Sequence, residues 1–400
     1  MTADARPFQA PDWVLTLLLA LLATCWTWHS TGVDDHIAKL VRAQADDVWF
    51  EGDVARVYAN MTERLSNHRR TNAHPLFSIT ALAINIPLQH VLHVSPEAAV
   101  RMTIGGISAL WLALLFGVLR SIGCRRLDAV LLALVAGTSA GALFWTAVPE
   151  TYLFGSTTIL LTLLVAAWAE RRSIPVWLEM TAAAAALSML LTNWMYALIS
   201  MVTRRSLRET IQLAINAFFI VTVLWGVEKY LLPSAEFFLG HHEAVVKPKA
   251  IEAFEVFFLH SMVMPDALTI PNETAGLWPK FSVQGARSWH LTAWGPIALL
   301  VWLALFALGL WALATLQSLG RLRFLLGATL LGQLALHTVF GNETFLYALD
   351  WVPTLVLVVA LASLTRLRWV VLGLSGIFIL TAGIHNHAEL ESVLRTLAAR

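Results

Sequence analysis

The stretch VWLEMTAAAAALSMLLTNWMYALISMV, residues 176–202, decides the architecture. It is apolar and longer than the roughly 20 residues a helix needs to cross a bilayer. Yet Thr192-Asn193-Trp194 interrupts it, and arginine pairs flank it at 171–172 and 204–205. Working outward, five segments carry the arginines: Arg120/Arg125/Arg126, Arg171/Arg172, Arg204/Arg205/Arg208, Arg321/Arg323 and Arg366/Arg368. Loops on the cytoplasmic side of a membrane protein are enriched in such residues. All five fall on one side only if 176–202 crosses twice, as two short helices, and 75–92 (HPLFSITALAINIPLQHV) does not cross. If 176–202 crosses once and 75–92 crosses too, the loops at 120–126 and 171–172 land on the wrong side. The preferred reading is an all-α polytopic transmembrane bundle of about 11 spans, with the N-terminus inside and the C-terminus outside.

Composition supports a bilayer. Of 400 residues, 58% are hydrophobic and 13% charged, against roughly 25% charged in soluble domains. Mean hydropathy is +0.68. The 17 tryptophans suit a chain with two membrane–water boundaries. Further apolar runs lie near 12–29, 98–119, 127–147, 151–169, 208–231, 292–316, 322–340, 345–364 and 368–385. The N-terminal MTADARPFQAPDW lacks a small-residue cleavage site after its apolar run, so 12–29 reads as a retained span. A net charge of +1 and the lack of a basic patch with interleaved aromatics give no sign of a nucleic-acid partner. Cys25 and Cys124 are not expected to pair. No Walker A, G-x-S-x-G, HExxH or GxGxxG constellation is present, so a soluble nucleotide has no phosphate cradle.

Three stretches follow from this topology: a core at 1–231, a large outer loop at 232–291 and C-terminal helices at 292–400. The first outer loop, 30–97, holds EGDVARVYANMTERLSNHRRTNAHPLFS at 51–78. There Val54, Val57, Tyr58, Met61 and Leu65 recur at helical spacing, which predicts an amphipathic helix on the membrane surface. Asp53 opens that helix, two residues after Glu51. It reads equally as an N-cap or as a general base or metal ligand at the lipid–water boundary. His74-Pro75 would open the next helix, and His68, Arg69 and Arg70 precede it as contacts for phosphate or for headgroups.

FWTAVPETY, 144–152, places Glu150 in a tight turn between two spans, where it serves either chemistry or helix capping. Tyr152 beside it reads as an interfacial aromatic. Arg101, after Pro96-Glu97, reads as a snorkelling side chain or a phosphate clamp. In the second loop, His241, His242, Lys247, Lys249 and Arg287 are candidate anion contacts, and the His pair lacks zinc-ligand spacing. HTVFGNETFLY sets His337 and Glu343 near the same surface.

The order of first span, acidic outer loop, HP-L, a later Arg and FW..A..E.Y resembles the GT-C fold membrane glycosyltransferases, especially the protein O-mannosyltransferase-like branch. The likeness covers roughly residues 12–230. Asp53 with Glu51, then His74-Pro75-Leu76, Arg101, Glu150 and Tyr152 fall on that branch's motifs. The second Pro of its HPP motif is Leu76 here, and EGD stands where it has a contiguous Asp-Glu pair.

The resemblance implies a polyprenyl-phosphate sugar as donor and inverting single displacement onto an acceptor hydroxyl of a protein, lipid or glycan. Asp53 would act as base with Glu150 assisting, and Arg101, with Arg69 or Arg70, would hold the lipid phosphate. Some relatives use a divalent metal. Mg or Mn, if present, would sit on Asp53 and Glu150. The Ala/Leu-rich composition suggests a bacterial inner membrane with the site facing the periplasm. A transporter or lipid flippase is the rival expectation. It calls for ionisable groups at mid-membrane on broken helices, and Glu179, Asn193 and Glu228 come nearest to that.

Overall fold

The computed structural model describes residues 9–44, 47–239, 250–271, 278–288 and 293–399. His241, His242, Lys247 and Lys249 lie outside the described residues. The chain folds through α1 (Ala10–Ser30), α2 (His36–Ala43), α3 (Val54–Thr62), α4 (Phe77–Val91), α5 (Pro96–Ile122), α6 (Arg126–Gly137), α7 (Ala140–Trp145), α8 (Tyr152–Ala169) and α9 (Val176–Met189). It continues through α10 (Trp194–Val202), α11 (Leu207–Leu231), α12 (Ala250–Glu255), α13 (Gly295–Thr315), α14 (Gly320–His337), α15 (Ala348–Ser363) and α16 (Arg368–Ala398). Two short strands, β1 (Leu268–Ile270) and β2 (Lys280–Ser282), pair antiparallel with Thr269 opposite Phe281.

Among the described residues, seven helical segments are long and apolar enough to cross a membrane: α1, α5, α8, α11, α13, α16 and Thr344–Ser363, which ends in α15. Helices α4, α9 and the segment Leu191–Val202 are apolar but shorter. The run 127–147, expected as one span, is broken into α6 and α7. Ser139 accounts for the break, because its hydroxyl accepts the Ala142 amide at 3.2 Å and starts a new helix.

Segment 176–202 folds back on itself. Glu179, in the first turn of α9, meets Arg204 at 3.2 Å and Arg205 at 2.9 Å, just past the end of α10. Ala183 of α9 shares a packed cluster with Ala197 and Met201 of α10. The two arms are therefore antiparallel, with their ends together. Leu190 is extended (φ −156°) at the turn, and a tight helical turn over Leu191–Asn193 completes the reversal.

The arginine segments gather at the open end of this hairpin. Asp12 binds Arg120 at 2.8 Å and Arg126 at 3.1 Å. Arg368 Nε donates to both Asp128 oxygens, at 3.0 and 2.9 Å. Arg171 donates to the Ile122 carbonyl at 2.8 Å, and Glu170 accepts the Leu322 amide at 2.5 Å. Arg204 lies within electrostatic reach of Glu170 and Arg321. Helix α4 stays at the opposite end. Its Phe77 packs on Phe154 in the first turn of α8 at 5.2 Å, and Ile79 N–H donates to Glu228 near the end of α11. Residues 92–95 then lead directly into α5.

Every residue of α15 is buried. A helix apolar all round belongs at the centre of a bundle, and α15 packs on α6, α8, α13 and α14. One core runs from Leu19 to Leu397, so residues 1–231 and 292–400 share it, together with Phe257, Met264 and Phe281 of the intervening stretch. The surface-helix expectation is corrected at α3. Val54, Val57 and Met61 are buried against α2, α4 and α5, whereas Leu65 is exposed beyond the helix end. Pro75 lies two residues before α4 rather than in its first turn. Both cysteines are free.

Candidate active site

The loop that carries Glu51 and Asp53 is held by aromatic packing. Phe50 sits 5.6 Å from Phe144 and 5.2 Å from Phe345, and Trp49 sits 5.9 Å from Phe144. Phe50 and Glu51 both adopt positive φ (50° and 60°), which L-residues rarely do. Gly52 follows because nothing larger fits. A Cβ there would lie 2.8 Å from the Trp49 carbonyl oxygen and 3.2 Å from the Trp145 ring. Gly52→Ala is therefore expected to cost about 1–3 kcal/mol through overpacking and to displace Asp53. A lowered melting temperature of the detergent-solubilised protein checks this.

Asp53 stands at the N-cap position of α3 but makes no side-chain cap bond. The capping reading therefore fails. Its carboxylate forms an ion pair with Arg56, one turn along the helix, and accepts from Arg70 Nη2 at 3.2 Å. Its backbone N–H donates to Glu150 Oε1 at 2.9 Å. Glu150 Oε2 takes the Thr151 hydroxyl at 3.1 Å and also the Thr151 amide. Burial pushes the Glu150 carboxyl up from its ordinary pKa, against the pull of Thr151, Arg56 and Arg70.

His74 Nδ1 faces the Met189 carbonyl at 2.9 Å, and the Leu76 amide donates to Ser188 O at 2.8 Å. The His-Pro-Leu triplet thus grips the closed tip of the α9–α10 hairpin. His74 Nε2 lies 3.3 Å from the Thr151 hydroxyl, whose single hydrogen serves either this nitrogen or Glu150 Oε2. Burial lowers the His74 pKa to about 4, so the ring is neutral near pH 7 with Nδ1–H bonded to the carbonyl.

These groups line one small cavity of about 50 Å³ at the end of the bundle away from the arginine loops. Glu51, Asp53, Arg70, His74, Glu150 and Tyr152, all singled out in the sequence, converge there. Tyr152 is buried, not interfacial, with its ring 5.8 Å from His74 and 5.1 Å from Tyr347. Glu51 forms an ion pair with Lys280 of β2, which ties the stretch between α11 and α13 to the cavity wall.

Three candidates lie elsewhere. Arg101 stacks on Trp28 at 4.2 Å and donates to the Trp28 carbonyl at 2.7 Å, so it braces α1 against α5. Arg69 pairs with Glu236 at 3.3 Å. Arg287 is exposed and is not among the cavity-lining residues.

Sequence reasoning missed Arg56, Asn60 and Tyr347 in the lining. Arg56 was detectable as the i+3 neighbour of Asp53 on a helix. Tyr347 gave no local signal.

The donor set does not suit a divalent cation. Asp53 already faces two guanidinium groups, and both Glu150 oxygens accept N–H bonds. Among the described residues, no three His, Cys, Asp or Glu side chains group to hold a metal.

Glu343 lies outside the cavity. Its carboxylate bonds the Ser282 hydroxyl and so fixes β2 to the segment before α15. Burial raises its pKa to about 7 from an ordinary 4.5. The folded state therefore holds this proton more tightly than the unfolded chain, and the associated stability is present below pH 4.5 and lost as pH rises through 7. His74 and His260, both held near 4 by burial, act oppositely, costing stability as pH falls from 6.5 toward 4. Glu343→Gln is expected to flatten the loss between pH 4.5 and 7, a difference on the order of 3 kcal/mol across the window. Melting curves of the two proteins at pH 5 and pH 8 read it directly.

No family model, no curated protein and no solved structure matches this chain.

Proposed function

We propose that this chain is an integral-membrane glycosyltransferase of GT-C-like fold. In this reading it moves a sugar from a polyprenyl-phosphate donor to an acceptor hydroxyl. The observation that carries the proposal is the meeting of Asp53 and Glu150, 97 residues apart, in one cavity with Arg56 and Arg70. The clustered arginine segments favour placing their end in the cytoplasm. The cavity then opens to the outer face, the periplasm of a bacterial inner membrane, with the α9–α10 hairpin counted as two short crossings in about 11.

The chemistry follows from the ion pairs. In the free protein Asp53 is paired with both Arg56 and Arg70, and a carboxylate so paired is a weak base. An arriving donor phosphate competes for the two guanidinium groups, which suit phosphate oxygens well. Released from them, the Asp53 carboxylate takes the acceptor proton. The acceptor oxygen attacks the anomeric carbon, and the bond from that carbon to the phosphate oxygen breaks. Its electron pair leaves on the polyprenyl phosphate, where Arg56 and Arg70 stabilise the charge. Attack opposite the leaving group inverts the anomeric centre. Glu150 positions the Asp53 backbone and is itself held by the Thr151 amide. Arg70 keeps the phosphate role first assigned to Arg101 with Arg69 or Arg70, Arg56 joins it in place of Arg101, and no step uses a metal.

The test is a panel of polyprenyl-phosphate sugars given to purified protein, with release of polyprenyl phosphate followed. Turnover of one donor is the expected result. Consumption of none, with protein shown to be folded, overturns the proposal.

A second reading, a lipid or solute transporter, draws on Asp350, a buried carboxyl in α15 bonded to Asn193 at the hairpin tip at 3.3 Å. Ionisable groups inside a membrane often mark transport paths. Movement of labelled lipid in proteoliposomes without sugar transfer distinguishes it.

A further inference from the structure

A second cleft lies on the other face of α7. Ala142, Leu143 and Thr146 border it, whereas Trp145 turns the opposite way, toward Tyr152 at 6.1 Å and the reaction cavity. The cleft measures about 360 Å³, more than twice the roughly 150 Å³ in which an engineered apolar cavity admits benzene. Helices α1, α5, α6, α7 and α16 wall it. Leu22 and Ile384 on its rim are half exposed, so it opens sideways on the flank of the bundle where acyl chains would lie.

An apolar furrow alone would say little. This one contains unsatisfied polar atoms. Trp26 Nε1, Thr27 Oγ1, Ser108 Oγ and His387 Nδ1 all border it, are shielded from solvent and have no hydrogen-bond partner. Thr27 and Ser108 are almost wholly buried, at 0% and 2% exposure. The other two hydroxyls of the wall, on Thr138 and Thr146, are satisfied by carbonyls of their own helices. Buried donors without acceptors are costly, and native structures supply the partner.

The register of α1 on α5 gives the depth of these atoms. Thr24 Oγ1 reaches the Gly105 carbonyl at 3.4 Å, and the two helices run antiparallel. Thr27 therefore lies toward the cavity end, with Ser108 about 9 Å deeper at 1.5 Å per residue. Below them Trp111, Leu112, Leu134 and Gly137 form an apolar floor. The cleft thus wants a ligand with oxygen acceptors in its upper part and hydrocarbon beneath.

We propose that this cleft is a binding site for one glycerolipid of the leaflet on the cavity side. Its ester and glycerol oxygens accept from Trp26, Thr27 and Ser108, and one acyl chain fills the floor. A polyprenyl chain fits less well, because below its phosphate it has no atom to accept a hydrogen bond. The site is separate from the reaction cavity and does not depend on the sugar-transfer proposal.

Native mass spectrometry of the full-length protein in mild detergent tests it, with dioleoyl phosphatidylglycerol and a C55 polyprenyl phosphate as competing probes. The expected result is one retained phospholipid per chain, preferred over the polyprenyl phosphate by about tenfold or more. Gly137→Leu should abolish retention, since a Cβ there meets only Leu112 Cδ1 at 3.9 Å and the longer side chain fills the cleft. Thr27→Val, nearly isosteric, should weaken retention about 3- to 10-fold, the size of one lost hydrogen bond. It reads the same site should Gly137→Leu fail to fold. Equal retention in all three proteins, preference for the polyprenyl phosphate, or no retained lipid would each overturn the proposal.

Discussion

Asp53→Asn is expected to reduce sugar transfer by about 10²- to 10⁴-fold, the usual contribution of a positioned general base, with the fold intact. The amide keeps the volume of the side chain and leaves the backbone N–H on Glu150 Oε1 at 2.9 Å. What it loses is the negative charge between Arg56 and Arg70. Those arginine side chains are 23% and 38% exposed, so water compensates them and the stability cost stays small. A stability effect alone would leave turnover per folded molecule unchanged, so the melting temperature and the turnover must be measured on the same preparation. Unaltered turnover would remove Asp53 from the chemistry and leave Glu150 as the remaining buried carboxylate of the cavity.

Glu179→Ala is the second large effect, and it acts on structure. The Glu179 side chain is 2% exposed and that of Arg204 is 8% exposed. Removing one member of a buried pair strands the other charge, at a cost of about 3–5 kcal/mol. Here two arginines lose their partner together, and the open ends of α9 and α10 lose their clasp. Because Met189 O at the far tip holds His74, the loss should also reach the cavity as reduced turnover in whatever protein still folds. Thermal unfolding in detergent measures the first effect. A melting temperature equal to the parent's would mean that the alanine packing between the arms suffices to close the hairpin.

Charge and hydropathy made much of the scaffold readable. Arginine placement favoured a reversal within 176–202 over a single crossing, and the Glu179 clasp is that reversal seen in atoms. Charge counting could not see the break in 127–147, because a single capping Ser139 in an apolar run has no weight in a hydropathy window. In the site, carboxylates and histidines beside apolar runs stood out because lipid tolerates them poorly. Arg101 misled, since a cation at a helix start looks the same whether it faces a ligand or an indole ring. Tyr347 stayed hidden because it reaches the cavity only through the tertiary placement of α15 at the centre of the bundle. Asp53 was ambiguous for another reason. A capping carboxylate and a base share a sequence position, and the direction of the side chain, toward Arg56 and Arg70, removes the cap.

The α9 arm of the hairpin has 14 residues and rises about 21 Å, against a hydrocarbon thickness near 30 Å. In a bilayer its tip stops roughly 9 Å short of the far boundary. His74, fastened to that tip and lining the cavity, is then drawn below the level of the far boundary. Hydrophobic mismatch is thereby placed beside the cavity. Under the sugar-transfer proposal, a donor anchored by its hydrocarbon tail would be met below the headgroup plane, and the hydroxyl partner would have to be narrow enough to descend.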